Sequence, residues 1–346
     1  MIGRSMMKVL VAAVLCAFLF TGCGEKTIRG EVIEVISDGQ NGEFSFVIDQ
    51  DVGGQKTIKT DADTYFFSWI EEATEKDLRE GNVDGMMVSV TGRKGSKVFT
   101  AEHIMIEQLR IRNYHALEDG TQVDLIIGLN EHTYCLGNIT ELLRVRNPVG
   151  PHNVQVVGVE SLDSLPEEAQ QNVIAYYDAQ GLFYDEFQTL QDAYDAYCAW
   201  DKFYAFYLSQ EIIPTASSDD VIYFLTDFMS DRGYEGTEEL RLGAAFDKKT
   251  GEVISATELF VCKPEEIIPK LIEICDLDDA ELIAEMKQAF RPEYVVFFPE
   301  NLEITFPESA LPAYGISSVI GIDFTKNEDL LKLLQPWAVP NKEVKE

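Results

Sequence analysis

The segment LRLGAAFDKKTGEVI (residues 240–254) decides the fold class of this chain. Its apolar residues before and after the central polar group fit two strands. Asp247 stands at the head of the intervening turn, and Gly251 stands where a left-handed backbone is needed. Two strands joined by such a turn form a hairpin, so this region predicts an antiparallel sheet.

Helix and strand patterns alternate on both sides of this hairpin. Ser164-Leu165-Pro166-Glu167 has the form of a capping box and predicts a helix that stops before Gly181. The other predicted helices and strands are Leu190–Leu208, Val221–Phe228, a helix that begins after Asp278 with Asp278-x-x-Glu281 as its cap and ends near Phe290, Tyr294–Phe298, Leu302–Phe306, Val319–Phe324 and Glu328–Leu334. Together they predict an α+β domain over residues 121–340, with helices packed on an antiparallel sheet.

The predicted helix over Leu190–Leu208 is rich in aromatic residues. Tyr194, Tyr197, Phe203 and Phe206 recur at helical spacing. Such a face either buries against a sheet or lines a cofactor pocket, and burial is the commoner role. We therefore predict a core face and no cofactor.

The first part of the chain has the period-two pattern of short strands. Five predicted strands lie within residues 27–109, and a helix closed by Gly81 lies between the third and fourth. This order is that of a five-stranded OB-like barrel, and LREGNVDGMMVSVTGR (78–93) resembles the entry to the fourth strand of such barrels. Tyr65, Phe66, Phe67 and Trp69 either fill this barrel or stack on a sugar. Residues 110–120 are expected to be a linker between the two domains.

The N-terminus predicts an export signal. Arg4 and Lys8 precede an apolar run from Val9 to Phe20, and Thr21-Gly22-Cys23 follows. This order is typical of a bacterial lipoprotein signal peptide, and the run is too short to cross a bilayer. We predict a signal peptide over 1–22, a lipidated Cys23 with a tether over 23–26, and a location on the outer face of the cytoplasmic membrane, held in the lipid bilayer by two acyl chains.

The chain is strongly acidic. Its formal net charge is −32, and the loss of Arg4 and Lys8 with the signal peptide would make it −34. Nucleic-acid binding needs clustered Lys and Arg, so no nucleic-acid partner is predicted. A basic extracellular protein would be attracted, although acidity also serves solubility alone.

No catalytic, metal or cofactor motif is present in the sequence. The histidines (His103, His115, His132 and His152) lack the spacing of a helical zinc site, and no Gly-x-Ser-x-Gly or Ser-x-x-Lys sequence occurs. Asp276, Asp278, Asp279 and Glu281 match a calcium loop only loosely, because the turn glycine is missing. Cys135, Cys198, Cys262 and Cys275 could form disulfides or stay as thiols, since export permits either state.

The C-terminal third carries a family resemblance. FDKKTGEVISATELF (246–260) and FFPENLEITFPESALPAYGISSVIGIDF (297–324) resemble the extracytoplasmic domain of the lysozyme-sensing anti-sigma factor of Gram-positive Firmicutes and the N-terminal region of a peptidoglycan deacetylase. The resemblance implies a ligand that is a lysozyme-like protein or a wall glycan. It places Tyr314 on the family's late loop, and the family's glycine-rich stretch falls near Tyr234.

These observations lead to one functional hypothesis and one alternative. The hypothesis is a non-catalytic, membrane-anchored binding lipoprotein that recognises a cell-envelope or host ligand, with Tyr234 and Tyr314 as the candidate contacts on exposed loops. The alternative is a cell-wall-active hydrolase that uses paired carboxylates, for which the acidic residues offer many candidates.

Overall fold

A computed structural model describes residues 25–38, 43–50, 53–70, 73–81, 83–94, 98–137, 140–152, 154–307, 310–312 and 318–341. The chain divides into two compact units, with the boundary between Thr140 and Glu141. Each unit contains both strands and helices, so the predicted mixed α+β class is confirmed.

The first unit consists mainly of strands. Its elements are β1 (Glu25–Asp38), β2 (Phe44–Gln50), β3 (Gly54–Lys59), β4 (Tyr65–Ser68), α1 (Glu75–Glu80), β5 (Met87–Lys94), β6 (Val98–Ala116), β7 (Gln122–Ile127) and β8 (Glu131–Leu136). The five predicted strands correspond to β1, β2, β3, β5 and β6. The sequence did not predict β4, which pairs in parallel with β6.

Strand pairing in this unit forms a cycle with an extension. β1 is antiparallel to both β2 and β5, and β3 is antiparallel to β2 and parallel to β6. β5 is antiparallel to β6, so the ladders lead from β1 through β2, β3, β6 and β5 back to β1. β6 then continues into pairing with β7, and β7 pairs with β8. Because of this extension, the sheet as a whole is not a closed barrel.

Side chains inside this cycle form one hydrophobic core. Phe46, Ile48 and Ile58 are fully buried there with Leu78 from α1. Thr74 begins α1 with a capping box, in which its hydroxyl accepts from the Asp77 amide at 3.3 Å and the Asp77 carboxylate accepts from the Thr74 amide at 2.9 Å. The cap places Leu78 over the core.

The predicted linker over residues 110–120 is instead mainly strand. β6 continues to Ala116, and Arg110 pairs with Ile126 of β7. Arg112 donates to Asp84 at 2.8 Å and to Asp124 at 2.6 Å, so its charge is satisfied within the unit. Polar side chains made this segment resemble a linker, although the backbone hydrogen bonds and ion pairs make it part of the sheet.

The second unit contains two sheets and most of the helices. Its elements are β9 (Thr140–Arg146, which begins at the boundary), α2 (Glu167–Gln180), α3 (Glu186–Ala199), β10 (Phe206–Ser217), β11 (Val221–Asp231), β12 (Thr237–Asp247), β13 (Val253–Ile254), α4 (Pro264–Ile274), α5 (Ala280–Ala289), β14 (Val295–Phe297), β15 (Asn301–Phe306), β16 (Ser318–Asp323) and α6 (Glu328–Leu333).

The larger sheet of this unit has the order β9-β10-β11-β12-β13, in which only the β9–β10 pair is parallel. The smaller sheet is the antiparallel order β14-β15-β16. α2 packs on the larger sheet, where Tyr177 and Phe246 are buried together. α4, α5 and the smaller sheet share a second core.

The hairpin at Asp247 is confirmed in detail. The Asp247 carboxylate accepts from the amides of Lys249 and Thr250, both at 2.8 Å. Gly251 has φ of +70°, and a Cβ there would lie 2.1 Å from the carbonyl oxygen of Ala169 in α2. Glycine is therefore required both by the backbone conformation and by the close approach of α2.

Two predicted helix caps are wrong. The Ser164 hydroxyl donates to the Ser161 carbonyl at 2.7 Å, and α2 begins after Pro166 without a side-chain cap. α5 is capped by Asp279, whose carboxylate accepts from the Glu281 amide at 2.9 Å, and not by Asp278. Asp278 and Asp279 both precede the apolar pattern of α5, so the sequence alone could not show which of them caps the helix.

The predicted signal peptide and Cys23 lie outside the described residues. In the described part of the chain, no helix combines the length and the apolar character that a membrane crossing requires. Cys198, Cys262 and Cys275 are unbridged thiols, and burial raises the pKa of the Cys275 thiol.

Candidate functional site

The site begins where α3 ends earlier than predicted. The Trp200 amide donates to the Ala196 carbonyl at 3.0 Å and its backbone is already extended, so the helix does not reach Leu208. Phe206 instead begins β10. Aromatic residues favour strands, and the run of them after Trp200 is consistent with this change. Tyr204 therefore lies after the end of the helix, and its side chain is exposed.

A short turn of 3₁₀ helix, Gly233–Glu235, joins β11 to β12 beside this segment. The Asp231 carboxylate accepts from the Gly233 amide at 2.8 Å, and the Arg232 guanidinium contacts the Asp192 carboxylate of α3 at 3.3 Å. Gly233 has φ of +63°, and a Cβ there would lie 3.4 Å from the Tyr204 carbonyl oxygen. These contacts hold the turn against the end of α3.

Three aromatic rings meet at this point. The Tyr234 ring centroid is 5.0 Å from that of Tyr204 and 5.9 Å from that of Trp200, and both contacts are edge-to-face. Tyr204 and Tyr234 nevertheless remain 59% and 58% exposed. A hydrogen bond with the Tyr204 hydroxyl raises the pKa of Tyr234.

The rings border a cleft of about 510 Å³. Its lining residues are Arg144, Tyr204, Ala205, Phe206, Tyr207, Asp231, Gly233 and Tyr234. Arg144 extends from β9 and pairs with Glu141 at 2.6 Å. The cleft thus combines aromatic surface with one cation, one carboxylate and phenolic hydroxyls, a composition suited to binding a ligand that has both apolar faces and polar groups.

Of the predicted contact residues, the structure places Tyr234 in this cleft. Tyr314, like Cys23, lies outside the described residues. Sequence reasoning missed Tyr204, Trp200 and Arg144. The signal for the first two is the aromatic density of AWDKFYAFY (199–207), although the helical spacing predicts a buried helix face there.

A pair of carboxylates lies on the larger sheet away from the cleft. Glu211 of β10 is directly opposite Asp227 of β11, and Asp227 is directly opposite Arg241 of β12. Arg146 contacts Glu211 at 2.5 Å. Burial raises the pKa of Asp227, and Glu211 contributes in the same direction while Arg241 opposes it. Neither carboxylate lines the cleft.

The described residues contain no group of three or more His, Cys, Asp or Glu side chains placed to hold a metal ion. The acidic run from Asp276 to Glu281 serves instead to begin α5, through the Asp279 cap.

Comparison with known proteins gives matches among solved structures alone. No family model matches the chain, and no curated protein matches it. A member of the DUF3298 family from Bacteroides fragilis is similar in structure with a TM-score of 0.36 and 8% identity, covering 66% of this chain and 92% of that one. A DUF3298 family protein from Pseudomonas aeruginosa PAO1 has a TM-score of 0.33 and 13% identity, covering 68% of this chain and 96% of that one.

The TiaS–tRNA(Ile2)–ATP complex also matches, with a TM-score of 0.18 and 19% identity over 35% of this chain and 27% of the TiaS chain. At these TM-scores none of the three establishes a shared fold or function. The resemblance to the anti-sigma factor and the deacetylase therefore stays a prediction.

Proposed function

We propose that the protein is a lipid-anchored, extracytoplasmic and non-catalytic binding protein whose ligand is a cell-wall glycan. The observation that carries this proposal is the pair of exposed tyrosines, Tyr204 and Tyr234, at the border of the 510 Å³ cleft. A sugar ring has an apolar face and a rim of hydroxyls, and a tyrosine likewise offers an apolar ring with a polar tip.

The position of these rings supports binding over a purely structural role. Large aromatic side chains of a folded protein are usually buried, and Phe206 in the same cleft is only 1% exposed. Tyr204 and Tyr234 instead leave more than half of their surface accessible while their mutual ring contact keeps them oriented. Orientation before binding reduces the entropy lost when a ligand is held.

Polar groups in the cleft suit the hydroxyl and carboxyl groups of wall glycans. Arg144 offers several N–H donors, and the Asp231 carboxylate has an oxygen beyond the one that accepts from Gly233. Among the described lining residues, Asp231 supplies the single acidic group of the cleft.

Titration of the soluble chain from Gly24 with purified wall glycan fragments, followed by calorimetry, tests the proposal. Removal of one stacking ring costs about 1–2 kcal/mol, which corresponds to roughly 5–30-fold weaker binding for Tyr234→Ala or Tyr204→Ala. Tyr197→Ala is the matched control, because Tyr197 is an exposed tyrosine of α3 that does not line the cleft. If wild type and Tyr234→Ala bind the glycan fragments with equal affinity, the cleft is not the glycan-binding site.

A basic extracellular protein such as lysozyme is the second candidate ligand. The formal net charge of −32 favours it, because opposite charges raise association rates. The same calorimetry with lysozyme at low and high salt separates the candidates, since charge-driven binding is screened within about 8 Å at physiological ionic strength.

We also propose finer assignments of the two units. The cycle of ladders through β1, β2, β3, β6 and β5 supports an OB-like barrel, with β7 and β8 as an extension. The Asp247–Gly251 hairpin supports a relationship of the second unit to the extracytoplasmic domain of the lysozyme-sensing anti-sigma factor. We also propose that residues 1–22 are cleaved off as a signal peptide and that Cys23 is acylated.

A further inference from the structure

A patch of aromatic side chains lies on the outer face of the first unit. Tyr65 of β4 pairs with His103 of β6, and Phe67 pairs with Met105 one step along the same face. Trp69 follows β4, and its indole N–H donates to the Met105 sulfur at 2.8 Å. We call Tyr65, Phe67, Trp69, His103 and Met105 the outer aromatic patch.

The patch is ordered and accessible. Tyr65 is 59% exposed, and its ring meets the His103 ring edge-to-face at 6.1 Å. The Phe67 and Trp69 rings meet edge-to-face at 4.7 Å and are partly exposed. Phe66 and Trp69 are both partly buried, and both pack against the core as well. Of the four aromatic residues predicted either to fill the barrel or to stack on a sugar, Phe66 and Trp69 contact the core, whereas Tyr65 is mostly exposed.

The patch is connected by one row of the sheet to the start of the chain. Thr27 of β1 pairs with Thr91 of β5, Thr91 pairs with His103, and His103 pairs with Tyr65. The Thr27 and Thr91 hydroxyls hydrogen-bond at 2.8 Å, which places both on this outer face. Three strand spacings separate Thr27 from Tyr65, so the distance along the sheet is roughly 14 Å.

Cys23 precedes the first described residue, Glu25, by two positions. Two residues span at most about 7 Å. An acyl-bearing Cys23 would thus hold the edge of this face within a short distance of the bilayer, because no long tether intervenes.

Two carboxylates beside the patch carry counter-charges. Glu107 contacts Arg29 at 2.5 Å, and Glu102 contacts Arg93 at 2.9 Å. These two ion pairs reduce the repulsion that the acidic chain would meet at an anionic surface, and the exposed Asp61 and Asp63 before Tyr65 make a neutral zwitterionic bilayer the favoured surface.

We propose that the outer aromatic patch docks on the bilayer that holds the acylated Cys23, with its rings at the level of the lipid headgroups. Tyrosine and tryptophan favour this level because they combine an apolar ring with a polar group. The acyl chains supply the attachment and the patch sets the orientation of the first unit. The inference rests on the proposed acylation of Cys23 for the source of that attachment.

Quenching of Trp69 by brominated lipid tests this inference. The mature lipoprotein with Trp200→Phe and Trp337→Phe retains Trp69 as its single tryptophan. It is reconstituted in phosphatidylcholine vesicles with or without bromine near the headgroup end of the acyl chains. We expect a loss of Trp69 emission in the brominated vesicles. Tyr65→Ser with Phe67→Ser should reduce that loss, whereas Tyr114→Ser, which removes another exposed tyrosine of the first unit, should leave it unchanged.

Flotation of the vesicles separates failure of the anchor from failure of the patch. Equal Trp69 emission in both kinds of vesicle, with the protein floating, overturns the docking proposal. If the native protein does not float, acylation is refuted, and the chain from Gly24 is then held on nickel-chelating vesicles by an N-terminal histidine tag. Quenching of Trp69 on these nickel-chelating vesicles supports docking of the outer aromatic patch, and the absence of quenching there overturns it.

If the tryptophan replacements prevent folding, hydrogen exchange of the wild-type lipoprotein replaces the fluorescence test. The β4 amides should exchange more slowly on vesicles than in soluble Cys23→Ser protein, and equal exchange overturns the proposal.

Discussion

Replacement of Gly243 by alanine should destabilise the second unit strongly, although the new methyl group is the smallest possible addition. Gly243 lies within β12, where the backbone of β14 crosses it. A Cβ at this position would lie 2.1 Å from the Val295 carbonyl oxygen and 3.3 Å from the Val296 Cα. Ordinary contact begins near 3.4 Å, so β14 would have to move by roughly 1.3 Å.

The size of the expected loss of stability depends on whether a side chain or the backbone has to move. Overpacking of a core costs about 1–3 kcal/mol, and values are lowest where a flexible side chain can turn away. Here the obstacle is backbone in a strand that pairs with β15 through Val295 and Ile304. We therefore expect about 3 kcal/mol, which for a unit of this size lowers the Tm by roughly 6–12 °C.

Urea unfolding and calorimetry of wild type, Gly243→Ala and Gly150→Ala measure this effect. Gly150 is the matched control, because no atom lies within 4 Å of a Cβ built there and its φ is not positive. Gly150→Ala should stay within about 0.5 kcal/mol of wild type. A Gly243→Ala protein equally close to wild type would refute the reasoning that β14 and β12 are in backbone contact.

Three further predictions concern the anchor, the ligand and pH. Cys23→Ser should release the protein from membranes, because both acyl chains are lost. Membrane fractionation measures this, and a variant that still sediments with membranes would contradict lipid anchoring through Cys23. Lysozyme binding, measured by calorimetry, should weaken steeply with salt, whereas glycan binding should change little. An unrelated protein of equal acidity is the control. If that control binds lysozyme equally well, the binding is non-specific electrostatic attraction. Asp227→Asn should become more stable relative to wild type as pH rises above about 4. Burial raises the pKa of Asp227, so ionisation of this carboxyl group at higher pH destabilises the native wild type but not the variant. Thermal melts at pH 3 and pH 7 test this, and a gain that is the same at both values would contradict it.

Local sequence signals predicted the elements whose chemistry is local. The Asp247 turn, Gly81 after α1 and the strands of the first unit needed only neighbouring residues to define them. The segment from Arg110 to Ala116 was wrongly predicted to be a linker because its arginines resemble those of an exposed connection, although it pairs with β7, the next strand in the sequence. A strand of this kind is specified by its partners and by ion pairs such as Arg112 with Asp124.

The cleft could be predicted even less, because three separate parts of the chain build it. Tyr204 follows α3, Tyr234 lies between β11 and β12, and Arg144 comes from β9. The helical spacing assigns Tyr204 to a helix face, whereas the helix ends at Trp200 and Tyr204 is exposed. A single helix boundary, the least certain feature of any sequence-based assignment, therefore decides whether this aromatic run forms a core face or a binding surface. Tyr204 reaches the ring of Tyr234 from the segment after α3, so the proposed glycan site depends on the chain leaving the helix at Trp200.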